Sequence, residues 1–157
     1  MDAIQIQNLT KTYPKFKLHA ASITLPMGYI MGLIGENGAG KSTLIKTMLD
    51  FNYPDAGSIT LLGKDSHQEA VCLKEDIGIV LDTISLPRLC TAKDCNRIFR
   101  NLYANWDEAL YASYLERFQL PDHKMWKTFS LGMQKKLGIA IALSHHPKLL
   151  ILDEVTA

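Results

Sequence analysis

The stretch Gly35–Thr43 reads G-E-N-G-A-G-K-S-T and concentrates chemistry more densely than any other part of the chain. It fits the pattern G-x-x-x-x-G-K-[ST], with Gly35, Gly40, Lys41 and Ser42 on the required positions. Glycines let successive backbone N–H groups turn toward one centre, and a helix starting there adds its positive N-terminal end. Such a loop cradles phosphate. Gly35, Glu36, Asn37, Gly38, Ala39, Gly40, Lys41, Ser42 and Thr43 are the candidate phosphate contacts. Lys41 would reach the β- and γ-phosphates and the Ser42 hydroxyl would ligate Mg²⁺. A nucleoside triphosphate is the implied ligand.

Far along the chain, the run Leu149-Leu150-Ile151-Leu152 ends in Asp153-Glu154. Behind a phosphate loop this pair has a specific use, because hydrolysis needs one carboxylate for Mg²⁺ and another near the attacking water. Asp153 would hold Mg²⁺, directly or through water, and Glu154 would act as general base.

These groups must be held by ordered elements. Tyr29–Ile34 is an apolar run and reads as a buried strand; Leu44, Ile45, Met48 and Leu49 recur at helical spacing after the loop. Residues 3–9 and 19–25 alternate as two strands of a small antiparallel sheet, separated by a polar stretch that contains Pro14. Pro54-Asp55-Ala56-Gly57 marks a turn before a short strand at 58–62, residues 67–74 suit a short helix, and Ile77–Leu81 reads as a compact strand. Residues 91–120 carry two helical patterns and form a separate lobe. There Trp106, Trp126 and the tyrosines serve packing rather than base stacking. Ser130 is placed to cap a helix over Gln134–Ser144, with His145 and His146 at its end. Strands alternating with helices imply an α/β domain with a mainly parallel sheet.

Composition excludes several classes. Net charge is +1, so a nucleic-acid surface, which needs a clustered basic face, has no support. No apolar run reaches the roughly 20 residues needed to cross a bilayer, and no secretory leader is evident. Cys72, Cys90 and Cys95 form no ligand-like set and suit a reducing cytosol. No N-K-x-D guanine-recognition motif occurs.

With these residues in place, the sequence resembles the ATP-binding subunits of ABC transporters, and the resemblance covers the whole chain. Between loop and acidic strand lies F-S-L-G-M-Q-K-K-L-G-I-A-I-A-L at 129–143. It is similar to the family signature L-S-G-G-Q: Ser130 and Gly132 match, while Phe129, Leu131 and Met133 depart. The S-L-G-M form looks like the subgroup of bacitracin-resistance and sodium-export ATPases. The resemblance implies a P-loop NTPase fold of ABC type: a three-layer core (29–56, 77–82 and 145–157), an antiparallel β part (1–28 and 57–63), and a helical lobe (91–144). It implies a head-to-tail dimer with a second ATP-binding subunit, in which Ser130 and Gly132 touch the γ-phosphate held by the partner's loop. It also implies a permease partner, a position on the cytoplasmic face of the membrane, and ATP hydrolysis that drives export.

Two further positions follow from the resemblance. Tyr13 stands where the family places an aromatic against adenine; the alternative is that Tyr13 or Phe16 simply covers the small sheet. Asp82 stands where a glutamine is usual; a carboxylate there can accept from water or ligate Mg²⁺ but cannot donate as an amide does. The segment 82–91, with Ile84, Leu86, Pro87 and Leu89, would face the permease. Family members continue beyond the acidic pair with a strand that lies between the Tyr29–Ile34 and Leu149–Leu152 strands. On that reading the 157 residues are a fragment with a central gap in its sheet, or one closed by rearrangement or exchange between chains. Two other functions compete: an ATP-holding chain with little or no hydrolysis, and a soluble ABC ATPase outside transport. The latter needs a second nucleotide domain or a long coiled coil.

Overall fold

The computed structural model describes residues 1–81 and 86–153, without the side chain of Ala20. The chain forms two compact units, Met1–Lys74 and Glu75–Ala157.

The first unit is built on a four-stranded antiparallel sheet of order β2-β1-β3-β4, from β1 (Asp2–Tyr13), β2 (Phe16–Pro26), β3 (Ala56–Leu61) and β4 (Lys64–Asp65). The first two strands run longer than alternation predicts. Tyr13 pairs with Phe16, so residues 10–13 and 16–18 stay in the strands and only Pro14-Lys15 turns. Leu62 and Gly63 carry positive φ of 51° and 80°, the backbone hand that suits a two-residue hairpin between β3 and β4. Ile4, Ile6, Leu9, Leu25, Ile59 and Leu61 fill the buried face. Helix α1 (Lys41–Met48) buries Leu44, Ile45 and Met48. It ends at Asp50 in left-handed conformation, φ 63°, where the Phe51 N–H donates back to the Lys46 carbonyl at 2.9 Å. The Asp50 carboxylate then meets His67 Nδ1 at 2.6 Å, and Tyr53 stacks on the His67 ring.

Tyr29–Ile34 departs from its predicted state. It forms no strand; Ile30 and Ile34 are 101% and 95% exposed. A strand exists through its ladder partners, and among the described residues no strand pairs with this run. Its apolar sequence encodes burial that the described chain does not supply.

The second unit opens with helix α2's successor strand β5 (Ile77–Val80), α2 itself (Ala70–Lys74) closing the first unit. β5 pairs in parallel with β6 (Leu149–Leu152), register Ile77↔Leu149 to Val80↔Leu152. The predicted parallel sheet consists of these two strands among the described residues. Helices α3 (Ala92–Leu102), α4 (Glu108–Arg117) and α5 (Leu131–Leu143), with a 3₁₀ turn at Trp126–Thr128, form the lobe. Thr91 caps α3 in a reciprocal box with Asp94, and Asp107 caps α4. Cys95, Tyr111, Trp126, Phe129, Leu137 and Ala140 share one core. The buried Tyr111 hydroxyl donates to the Ala92 carbonyl at 2.9 Å, and burial pushes the Cys95 thiol up to about 12, which removes it as a nucleophile. Helix α5 starts directly after Ser130, earlier than its periodicity suggests, because the cap sets the first turn. No helix of the described residues is long and apolar enough to cross a membrane.

Candidate functional site

In the first unit the loop between Ile34 and α1 has the geometry its glycines foreshadow. Gly38 and Gly40 sit at φ 83° and 99°, where L side chains are strained. Gly40 has a second reason to lack a side chain: a Cβ there would lie 2.5 Å from Phe16 Cζ and 3.4 Å from Leu18 Cδ1. Phe16 therefore backs the loop, whereas its ladder partner Tyr13 stays 38% exposed. Of the two aromatics, Tyr13 is the more exposed. The family resemblance singled out Tyr13; what the structure adds is that Phe16 is the ring that meets Gly40.

Lys41 folds back into the loop. Its Nζ donates to the Gly35 carbonyl at 2.6 Å and to the Glu36 carbonyl at 2.9 Å, so the cation stands at the centre the backbone encloses. Helix α1 begins at Gly40 without a side-chain cap and carries no acidic residue in its first turn. Its orphan N–H groups and dipole thus face an anion without competition. Ser42 and Thr43 are half-buried in that first turn, while Glu36, Asn37, Gly38 and Ala39 are exposed. These residues fit the phosphates of a nucleotide.

In the second unit Asp153 follows β6 and is buried, with its N–H donating to the Val80 carbonyl at 2.8 Å. It therefore stands at the carboxyl ends of the parallel strands, where open α/β sheets bind ligands. Glu154 and Asp82 lie outside the described residues. Among the described residues, no three His, Cys, Asp or Glu side chains cluster as a metal site.

The Ser130 hydroxyl accepts from the Met133 N–H at 3.2 Å and caps α5 while remaining exposed. A Cβ on Gly132 would meet nothing within 4 Å, so this chain's own packing does not require glycine there. The departures from the signature sort by burial. Phe129 is a core residue against Trp126, Met133 packs on the lobe core, and Leu131 is 59% exposed. In the segment proposed to face a partner, Leu86 packs against the lobe core, Leu89 is 65% exposed, and Ile84 lies outside the described residues.

His145 has a role that sequence reading missed. It is buried, its ring stacks on Tyr103 at 4.0 Å, and Nε2 lies 3.3 Å from the Ile77 carbonyl. It ties the end of α5 to β5, while His146 at φ 55° turns out to Asp107. Burial holds the His145 pKa below its ordinary 6.5. The unfolded chain then binds more protons than the folded one just below pH 6.5, so stability rises with pH across that window. Thermal melts should show Tm falling as pH drops from 7 toward 5.5, with a shallower fall in His145→Gln; equal slopes would count against this role.

A family model described as ABC transporter matches residues 18–157. The bacitracin transport ATP-binding protein BcrA of Enterococcus faecalis is 34% identical over 154 residues, covering 96% of this chain and 50% of that protein. The lantibiotic transport ATP-binding protein SrtF of Streptococcus pyogenes is 35% identical over 156 residues, covering 98% and 66%. The chain thus spans only part of the length of these curated relatives. A solved ATP-binding subunit of an ABC transporter superposes with a TM-score of 0.86 at 26% identity, over 98% of this chain and 66% of that one. A dimeric ATP-binding cassette bound to ADP and Pi shares the fold, with a TM-score of 0.84 at 22% identity over 98% and 74%. A likeness that runs nearly end to end, in both sequence and backbone, puts this chain in the ABC transporter family, as an ATP-binding domain with the P-loop NTPase fold.

Proposed function

We propose that the chain binds Mg·ATP at Gly35–Thr43 and forms one half of a composite ATPase that powers export through a separate permease on the cytoplasmic face of the membrane. The observation that carries this reading is Lys41 Nζ held 2.6 Å and 2.9 Å from the Gly35 and Glu36 carbonyls, beside an uncapped helix N-terminus. Both acceptors are neutral carbonyls; a phosphate oxygen would offer the same ammonium an opposite charge, with shorter and stronger bonds between two ionised groups. Ser42 and Asp153 would hold Mg²⁺, which neutralises charge on the phosphates. Asp82 would join them or accept from the attacking water, and Glu154 would take that water's proton. Tyr13 would stack on adenine. Ser130 and Gly132 would meet the γ-phosphate held by a second subunit, which agrees with the open space at Gly132. Leu89, exposed at the lobe, is the candidate permease contact. A second reading, ATP binding with little turnover, draws on Asp82 in place of the family glutamine.

The composite half is tested by sedimentation velocity. With Mg·ATP the chain should shift from monomer to dimer. Gly132→Asp, whose Cβ has room in this chain, should keep its Tm and its ATP affinity but stay monomeric. Dimerisation of Gly132→Asp with ATP to the same extent as the parent would contradict the assignment.

A further inference from the structure

Tyr13 sits at the tip of the β1–β2 hairpin, beyond the point where β3 supports it. The β1–β3 ladder ends at Thr10↔Ala56, three residues short of Tyr13. From there one side chain continues the ladder's work. Asp55 Oδ2 accepts the Thr12 N–H at 2.7 Å and Oδ1 accepts from Lys11 Nζ at 3.1 Å, while the Asp55 N–H donates to the Thr10 carbonyl at 2.8 Å. Lys11 Nζ in turn lies over the Tyr13 ring, 5.7 Å from its centroid. Lys11 is thus held against one face of the ring, and the opposite face is left for a base.

We propose that Asp55 is a positioning residue for nucleotide recognition: it fixes the Thr12 backbone and the Lys11 ammonium so that the Tyr13 ring is pre-set for stacking. The inference rests on the reading of Tyr13 as the adenine contact. Bonds of this kind at an exposed carboxylate add little to global stability. Their effect lies in the lost freedom of a hairpin tip that would otherwise have to be ordered on binding. The Lys11 bond first, and the Thr12 N–H second, hold the Asp55 carboxyl below its usual range, so the clamp is ionised at neutral pH.

The test compares Mg·ATP with Mg·tripolyphosphate by isothermal titration, because tripolyphosphate engages the phosphate loop without a base. Tyr13→Ala should weaken ATP about tenfold, the scale of one stacked base, and leave tripolyphosphate unchanged. Asp55→Ala should weaken ATP about fivefold with tripolyphosphate unchanged, which a general loss of fold would not do. Asp55→Asn keeps an acceptor for the Thr12 N–H and should recover most of the loss. Tyr13→Ala combined with Asp55→Ala should bind ATP no more weakly than Tyr13→Ala alone. An Asp55→Ala chain with the parent's ATP to tripolyphosphate ratio, beside a Tyr13→Ala chain that has lost it, would overturn the proposal alone. A parental ratio in Tyr13→Ala would overturn the base-contact reading and the proposal with it.

Discussion

Lys41→Ala should remove the thermal stabilisation that Mg·ATP gives the parent chain. A ligand at a hundred times its Kd stabilises the folded state by about 2.7 kcal/mol, a shift of several degrees in Tm. On the proposed reading Lys41 would supply much of that affinity, since hydrogen bonds to a charged partner contribute about 1.5–3 kcal/mol each. Its loss should lower ATP affinity on the order of a hundredfold. The same substitution removes the two bonds from Nζ to the Gly35 and Glu36 carbonyls, so the loop itself could loosen. These bonds are exposed, and the Tm without nucleotide should change by less than a few degrees. Lys41→Arg separates the two effects, because it keeps the charge while the wider guanidinium misfits the ring of carbonyls. Parental ATP-dependent stabilisation in Lys41→Ala would remove the loop from the account.

Gly78→Val should strongly destabilise the second unit. Gly78 lies mid-β5, and a Cβ there would stand 2.6 Å from the Ala142 carbonyl oxygen, 2.9 Å from Leu150 Cδ1 and 3.0 Å from Pro147 Cγ. The nearest of these is backbone of α5, which cannot swing aside as a side chain can. Overpacking in a well-ordered core costs about 1–3 kcal/mol, and a β-branched residue against backbone belongs at or above the upper end. Against a typical total of about 5–15 kcal/mol that is a large fraction. Circular dichroism and soluble yield report it directly, and a Gly78→Val chain with the parental Tm would show that α5 and β5 pack otherwise. Gly132→Asp is the matched contrast, since the same kind of change meets open space there.

What the sequence made legible were features whose cause is local. The glycines and lysine of Gly35–Thr43 encode their own loop, Ser130 encodes a helix start, and alternation in residues 3–9 encodes a half-buried strand. Features that depend on distant partners were not legible. Tyr29–Ile34 has the composition of a buried strand, yet composition cannot say whether a neighbour pairs with it. The bond from the Asp55 carboxylate to the Thr12 N–H joins groups 43 residues apart and leaves no spacing signal. His145 reads only as a residue at a helix end, because it is the packed lobe that places Tyr103 against its ring. That Phe16 is the ring against Gly40 likewise depends on how the hairpin packs on the loop.

The central claim is that Gly35–Thr43 is a nucleotide-phosphate site. Isothermal titration of Mg·ATP into the parent chain tests it most directly. The account predicts saturable binding of one ATP per chain, displaced by Mg·tripolyphosphate and weakened on the order of a hundredfold in Lys41→Ala. A folded parent chain that gives no saturable heat with millimolar Mg·ATP, or ATP binding that tripolyphosphate fails to displace, would contradict it.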